Sequence, residues 1–129
     1  MIGGMAMIQQ GFVRATEDID LLVDVSLQNE EKIRKALAFL PDKAVLEIKH
    51  GDLDTYEVIR VADEIVVDLM KSACGIDFSQ AASKIISIEI QGIKIPFANI
   101  DLLIELKQSA REKDKIDLQF LKHKKSNKK

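Results

Sequence analysis

The chain has 129 residues, 47% hydrophobic and 31% charged, with two prolines and no tryptophan. That length and balance describe one globular unit, able to bury about two-thirds of the unfolded chain's surface without disulfides or a structural metal, and exclude a two-domain arrangement. The formal charge of −2 is unevenly spread: Lys122 to Lys129 hold five lysines and no acid, leaving 14 of 19 basic residues against 21 acidic ones elsewhere. So acidic a body argues against a groove that binds nucleic acid through phosphate neutralisation alone. The expected organisation is a folded domain over residues 1–121 followed by a basic, disordered tail over 122–129.

Cys74 is the single cysteine, so no intramolecular disulfide is available and a reducing, cytoplasmic setting is expected. The opening Met1 to Phe12 lacks the cationic region of a signal peptide, and no stretch approaches the roughly 20 apolar residues that span a bilayer.

Gly3-Gly4 precede Met5 to Gln10, which is free of helix breakers. A glycine pair entering a helix exposes backbone N–H groups at its positive end, where phosphate binds well; the plainer reading is a tight turn. Ile19 to Val25 is a nearly continuous apolar run and predicts a strand covered on both faces, central in a sheet. Asn29 to Leu40 places Ile33, Ala36, Leu37 and Leu40 at helical spacing, with Glu30 among the charged residues elsewhere, and Pro41 stops that helix. Val45 to Lys49, Tyr56 to Val61 and Ile65 to Met70 predict strands, with turns at Gly51-Asp52 and Ala62-Asp63.

A short helix is expected around Phe78 to Lys84. Ile85 to Ile90 and Ile93 to Phe97 flank Gln91-Gly92 as a hairpin. Two helices close the chain, Asp101 to Arg111 with Asn99 as its cap and a stripe of Leu102, Leu103 and Leu106, then Asp114 to His123. The order predicts an α+β fold, a mixed β-sheet packed by helices.

Three acids stand out against this pattern. Asp18 and Asp20, two apart on a strand, project from one face, and repulsion between them raises the proton affinity of one. Asp68 interrupts the apolar run Ile65 to Met70, where a carboxylate without a counter-charge is costly. If the two strands are neighbours, three carboxylates converge, and magnesium or manganese is the natural guest. The structural alternatives are a turn cap for Asp18, a pair of Asp20 with Arg14, and a pair of Asp68 with Arg60 or Lys71. His50 and His123 are isolated, which speaks against zinc. Cys74 and the residues Met5, Met7 and Met70 read as packing.

Ile2-Gly3-Gly4, then Arg14-Ala15-Thr16, then Asp18-Ile19-Asp20-Leu21-Leu22-Val23 resemble the signature of the polymerase-β-like nucleotidyltransferase superfamily, and of its small, minimal bacterial and archaeal members in particular. Val67-Asp68-Leu69 is similar to the strand bearing that family's third acid. Gly92 to Pro96, Asp101-Leu102-Leu103, Leu106-Lys107 and Arg111-x-Lys113-Asp114-x-x-Asp117 are similar to its closing segments. The resemblance implies a nucleotidyltransferase-like fold whose first strand is truncated to Met1 and Ile2, leaving an apolar edge open to a partner.

The resemblance further implies transfer of a nucleoside monophosphate from a nucleoside triphosphate to a hydroxyl acceptor on a protein, an RNA or a small molecule. Two magnesium or manganese ions would serve as cofactors. Gly3 and Gly4 would hold the triphosphate, Asp18 and Asp20 both metals, and Asp68 one metal while activating the acceptor. Lys107, one turn before Arg111, is placed to reach the triphosphate, as are Arg14 and Thr16. With no separate acceptor-binding domain, specificity is expected from a partner protein or a homodimer groove. Relatives of this kind often act in toxin–antitoxin pairs. The competing readings are a nucleotide-binding or regulatory module of the same fold with weak or no catalysis, and an interaction domain whose acids are paired internally.

Overall fold

The computed structural model of the chain describes residues 1–9, 11, 18–108 and 112–127, except the side chains of 112, 113 and 127. In chain order the elements are α1 (Gly3–Gln9), β1 (Asp18–Leu22), α2 (Leu27–Leu37), a 3₁₀ turn (Ala44–Glu47), α3 (Asp52–Thr55), β2 (Val58–Ala62) and β3 (Val66–Met70). There follow β4 (Ser72–Ala73), β5 (Ile76–Asp77), α4 (Phe78–Ala81) with a 3₁₀ turn (Ala82–Lys84), β6 (Ile85–Ile90), β7 (Ile93–Ala98), α5 (Ile100–Leu106) and α6 (Glu112–Asn127). The architecture is mixed α+β. No helix among the described residues is long and apolar enough to cross a membrane.

The principal sheet has the order β1-β3-β2, with β1 parallel and β2 antiparallel to β3. The strand expected to be central, around Ile19 to Val25, ends at Leu22 and lies at an edge; β3 is the central strand. All five β1 residues are half-buried rather than enclosed on both faces. On its outer side, among the described residues, the backbone pairing of β1 is an isolated antiparallel bridge, in which the Ile2 N–H donates to the Asp20 carbonyl at 2.9 Å. Met1 faces the other way, its carbonyl accepting from Ala98 N–H at 3.0 Å. The first two residues thus lie between β1 and the β6–β7 hairpin, which forms its own two-stranded sheet.

Strand alternation divides the sheet into two faces. Val67, Leu69 and Val61 are buried with Val45, Ile48 and Leu53, and Ile19, Leu21 and Ile59 pack against them. The opposite face carries Leu22 and Met70, which pack against a second core of Ile2, Ala6, Met7, Leu102, Leu103, Leu106 and Leu121. Asp18, Asp20 and Asp68 fall on this second face by the same alternation.

Several expectations are corrected. Val45 to Lys49 does not form a strand: Ala44–Glu47 is a 3₁₀ turn, because Val45 and Ile48, three apart, both point into the core. Asp63 holds that turn, its carboxylate accepting from the N–H groups of Asp42 and Ala44 at 3.0 Å each. Helix α2 begins at Leu27 with Ser26 as its cap and ends at Leu37, leaving Ala36 exposed. Glu30, expected among the solvated charges, is only 2% exposed and accepts from Gly51 N–H at 3.0 Å and Leu53 N–H at 3.2 Å, closing the start of α3.

Helix α5 stops at Leu106 rather than reaching Arg111, with Asn99 as its cap. Helix α6 runs through Asn127, so Lys122, Lys124 and Lys125 of the expected tail are helical, and Lys125 pairs with Asp101 at 2.5 Å. Lysines in a last turn suit the negative end of the helix. The hairpin around Gln91-Gly92 forms as expected, with positive φ at both residues (52° and 81°), the twist that two-residue hairpin turns favour.

Candidate functional site

The parallel register sets Asp20 directly beside Asp68 and Asp18 beside Val66. The antiparallel register sets Arg60 on the other side of Asp68. Because neighbouring strands are about 4.8 Å apart, side chains paired in register on one face come into contact. Arg60 Nε donates to Asp68 Oδ1 at 2.9 Å, and its Nη2 donates to Asp68 Oδ2 at 3.1 Å and to Asp18 Oδ2 at 3.0 Å. The three acids expected to converge therefore share one face, and a cation from the third strand lies among them. Of the structural alternatives, the Arg60 pair with Asp68 is realised, whereas Lys71 turns to Asp54 at 3.2 Å.

Asp20 carries the electrostatic cost of this arrangement. Burial first, then the charges of Asp68 and Asp18, then a hydrogen bond to Asp68 push its proton affinity above the usual carboxylate range, while Lys107 pulls the other way. The Arg60 guanidinium is held still more firmly protonated, chiefly by its hydrogen bond to and the charge of Asp68.

Gly3 closes the site from α1. Its φ of +67° is a left-handed conformation, and a Cβ built there would lie 2.1 Å from Asp20 Oδ2. Only a residue without a side chain lets the helix start against that carboxylate. The buried Gly4 follows within α1. Ile2, Gly3, Asp20, Met70, Ser72, Ala73, Cys74 and Lys107 border a cavity of about 320 Å³ beside the acids. Cys74, expected to be packed, is instead exposed at the β4–β5 turn with φ 50°, its Sγ 3.1 Å from the Leu106 carbonyl oxygen.

Lys107 lies near Asp20 but is not directed outward. It terminates α5, is 6% exposed, and its Nζ stands 3.4 Å from Asp114 Oδ1 and 3.0 Å from Asp117 Oδ2, both on α6 and both buried. Arg14, Thr16 and Arg111, the other residues expected at the phosphates, lie outside the described residues.

The donor chemistry of the three aspartates suits a hard divalent cation: three carboxylates lie on one face, with Asp20 beside Asp68 in register. As the side chains stand, no three acid, imidazole or thiol groups among the described residues are gathered to ligate one ion. Sequence reasoning named Arg60 only as a partner for Asp68. A hairpin centred on Glu64 places residues 60 and 68 opposite one another, and that symmetry was the signal for its larger role. Comparison with known proteins gives no match, either to a protein-family model or to a curated protein.

Proposed function

We propose that the chain is a metal-dependent nucleotidyltransferase that moves a nucleoside monophosphate from a nucleoside triphosphate to a hydroxyl acceptor. The observation that carries this reading is the register pair of Asp20 with Asp68, with Asp18 on the same face and the backbone of Gly3 against the Asp20 carboxylate. Nucleotidyl transfer is an in-line displacement at phosphorus, which needs positioning and charge neutralisation more than a covalent intermediate. Divalent ions held by Asp18, Asp20 and Asp68 would supply the positive charge that offsets the attacking and leaving oxygens.

The chain's own groups have distinct tasks in this proposal. The acceptor oxygen bonds to the α-phosphorus as the bond to pyrophosphate breaks, and the acceptor proton passes to the Asp68 carboxylate. The amide end of α1 at Gly3 and Gly4 faces the triphosphate. Lys107, drawn inward by Asp114 and Asp117, supports the Asp20 side of the cavity, and a phosphate contact from it requires release of one of those carboxylates.

Incubation with α-labelled nucleoside triphosphates, magnesium and cell extract tests the reading. The expected result is label transferred to a protein, RNA or small molecule by the wild type and lost in Asp20→Ala. Absence of transfer with every triphosphate refutes it. The engagement of Asp18 and Asp68 by Arg60 favours one second reading, a nucleotide-binding module of the same fold without catalysis. Calorimetric binding of a non-hydrolysable triphosphate by a chain that transfers no label would support that module.

A further inference from the structure

The acidic face already holds a cation of its own. Arg60 reaches it from β2, with a side chain 60% exposed that ends on an Asp68 carboxylate only 9% exposed. Its guanidinium engages both oxygens of Asp68 and, through a shared Nη2, one oxygen of Asp18. Those three oxygens belong to two of the three acids on which a divalent ion would depend. A guanidinium donor and a metal ion cannot occupy the same lone pairs, so the two cations compete.

We propose that Arg60 is a positioning residue that stands in for the metal: it holds Asp18 and Asp68 side by side in the metal-free protein and yields them, turning out to solvent, when a divalent cation enters. This rests on the metal-dependent reading above. Two features of the site support it. The fork-like contact with Asp68 and the bridge to Asp18 neutralise charge that would otherwise push β1 and β3 apart. The arm is mostly exposed, so its release buries nothing and strands no cation away from water.

The arrangement makes a prediction opposite in sign to that for a merely structural arginine. If Arg60 only braced the site, its removal would loosen the acids and weaken metal binding. If it competes, its removal strengthens metal binding, because the ion no longer has to displace a partner. Manganese titrations of the full chain, without nucleotide, read the free-ion electron paramagnetic resonance signal for the wild type, Arg60→Gln and Arg60→Lys. Circular dichroism confirms that each is folded.

The expected result is roughly ten-fold tighter manganese binding by Arg60→Gln, about 1.4 kcal/mol at 25 °C. Arg60→Lys should fall between the two, because a lysine lacks the fork that grips both Asp68 oxygens. In chelator, Arg60→Gln should unfold at lower urea than the wild type, and manganese should restore it. Equal or weaker manganese binding by a folded Arg60→Gln overturns the role of Arg60 while leaving the metal reading in place. Should Arg60→Gln not fold, binding by Arg60→Lys no tighter than wild type overturns it likewise. No manganese binding by any of the three proteins overturns both proposals together.

Discussion

Replacing Lys107 with methionine preserves most of the side-chain volume and removes only the ammonium. The ammonium lies 3.4 Å from Asp114 and 3.0 Å from Asp117, and these aspartates are each 1% exposed. Removing one member of a buried ion cluster costs about 3–5 kcal/mol, because the remaining charges stay in a poorly solvating interior. A domain of this size has about 5–15 kcal/mol in total, so the variant should lie near the edge of folding. That loss corresponds to a fall in Tm of roughly 10–20 °C.

Urea unfolding at constant protein concentration measures it. The triple variant Lys107→Met, Asp114→Asn, Asp117→Asn distinguishes stranded charge from lost packing: with neutral amides in place of the carboxylates it should recover much of the deficit. A Lys107→Met protein within about 0.5 kcal/mol of the wild type, the range of ordinary surface substitutions, would refute the cluster's role in joining α5 to α6.

Other perturbations bear on the site and its supports. Since the folded state raises the proton affinity of Asp20, its ionisation costs stability, and this cost grows as pH rises from its ordinary titration range through the raised folded value. Asp20→Asn should therefore be more stable than wild type at pH 7, by about 0.5–2 kcal/mol, with the gain shrinking toward pH 4; a variant less stable at pH 7 contradicts this sign. Gly3→Ala combines an unfavourable positive φ with a Cβ 2.1 Å from Asp20 Oδ2, and should lose about 1–3 kcal/mol in urea unfolding. That loss should be smaller in an Asp20→Ala background, where the carboxylate clash is gone and the Cβ contact at 3.0 Å remains. Glu30→Ala strips the acceptors from two backbone N–H groups at the start of α3 and should cost about 3 kcal/mol, read as a lower urea midpoint with an unchanged slope.

Where local chemistry decides the structure, the sequence is legible. Gln91-Gly92 tolerates the left-handed turn that closes β6 on β7, Asn99 caps α5, and the single acid in Val66–Met70 announces a polar spot on an apolar strand. The common face of Asp18, Asp20 and Asp68 follows from alternation once β1 and β3 are taken as neighbours. Legibility fails where distant partners override local pattern. The run at Val45 contains strand formers, but Asp63 captures the amides of Asp42 and Ala44 just before it, and the segment forms a 3₁₀ turn. Glu30 reads as a solvated helix charge until Gly51 and Leu53 arrive beside it. Lys107 reads as a residue reaching for the triphosphate because the aspartates that draw it inward belong to the next helix. Arg60 was visible as a partner for one acid, but its second contact depends on a strand far away in sequence.

The mixed sheet also has a kinetic consequence. The β2–β3 hairpin joins neighbours along the chain and can form early, with Arg60 already beside Asp68. The parallel pairing of β1 with β3 spans α2, α3 and β2, and must close a long loop while setting one anion against another at Asp20 and Asp68. An early hairpin carrying its own positive charge lowers that obstacle by greeting Asp18 as the last strand docks. Stopped-flow refolding should accordingly be slower in Arg60→Gln than in the wild type, and assembly of the acidic face becomes a late event in folding, timed by the arrival of the edge strand.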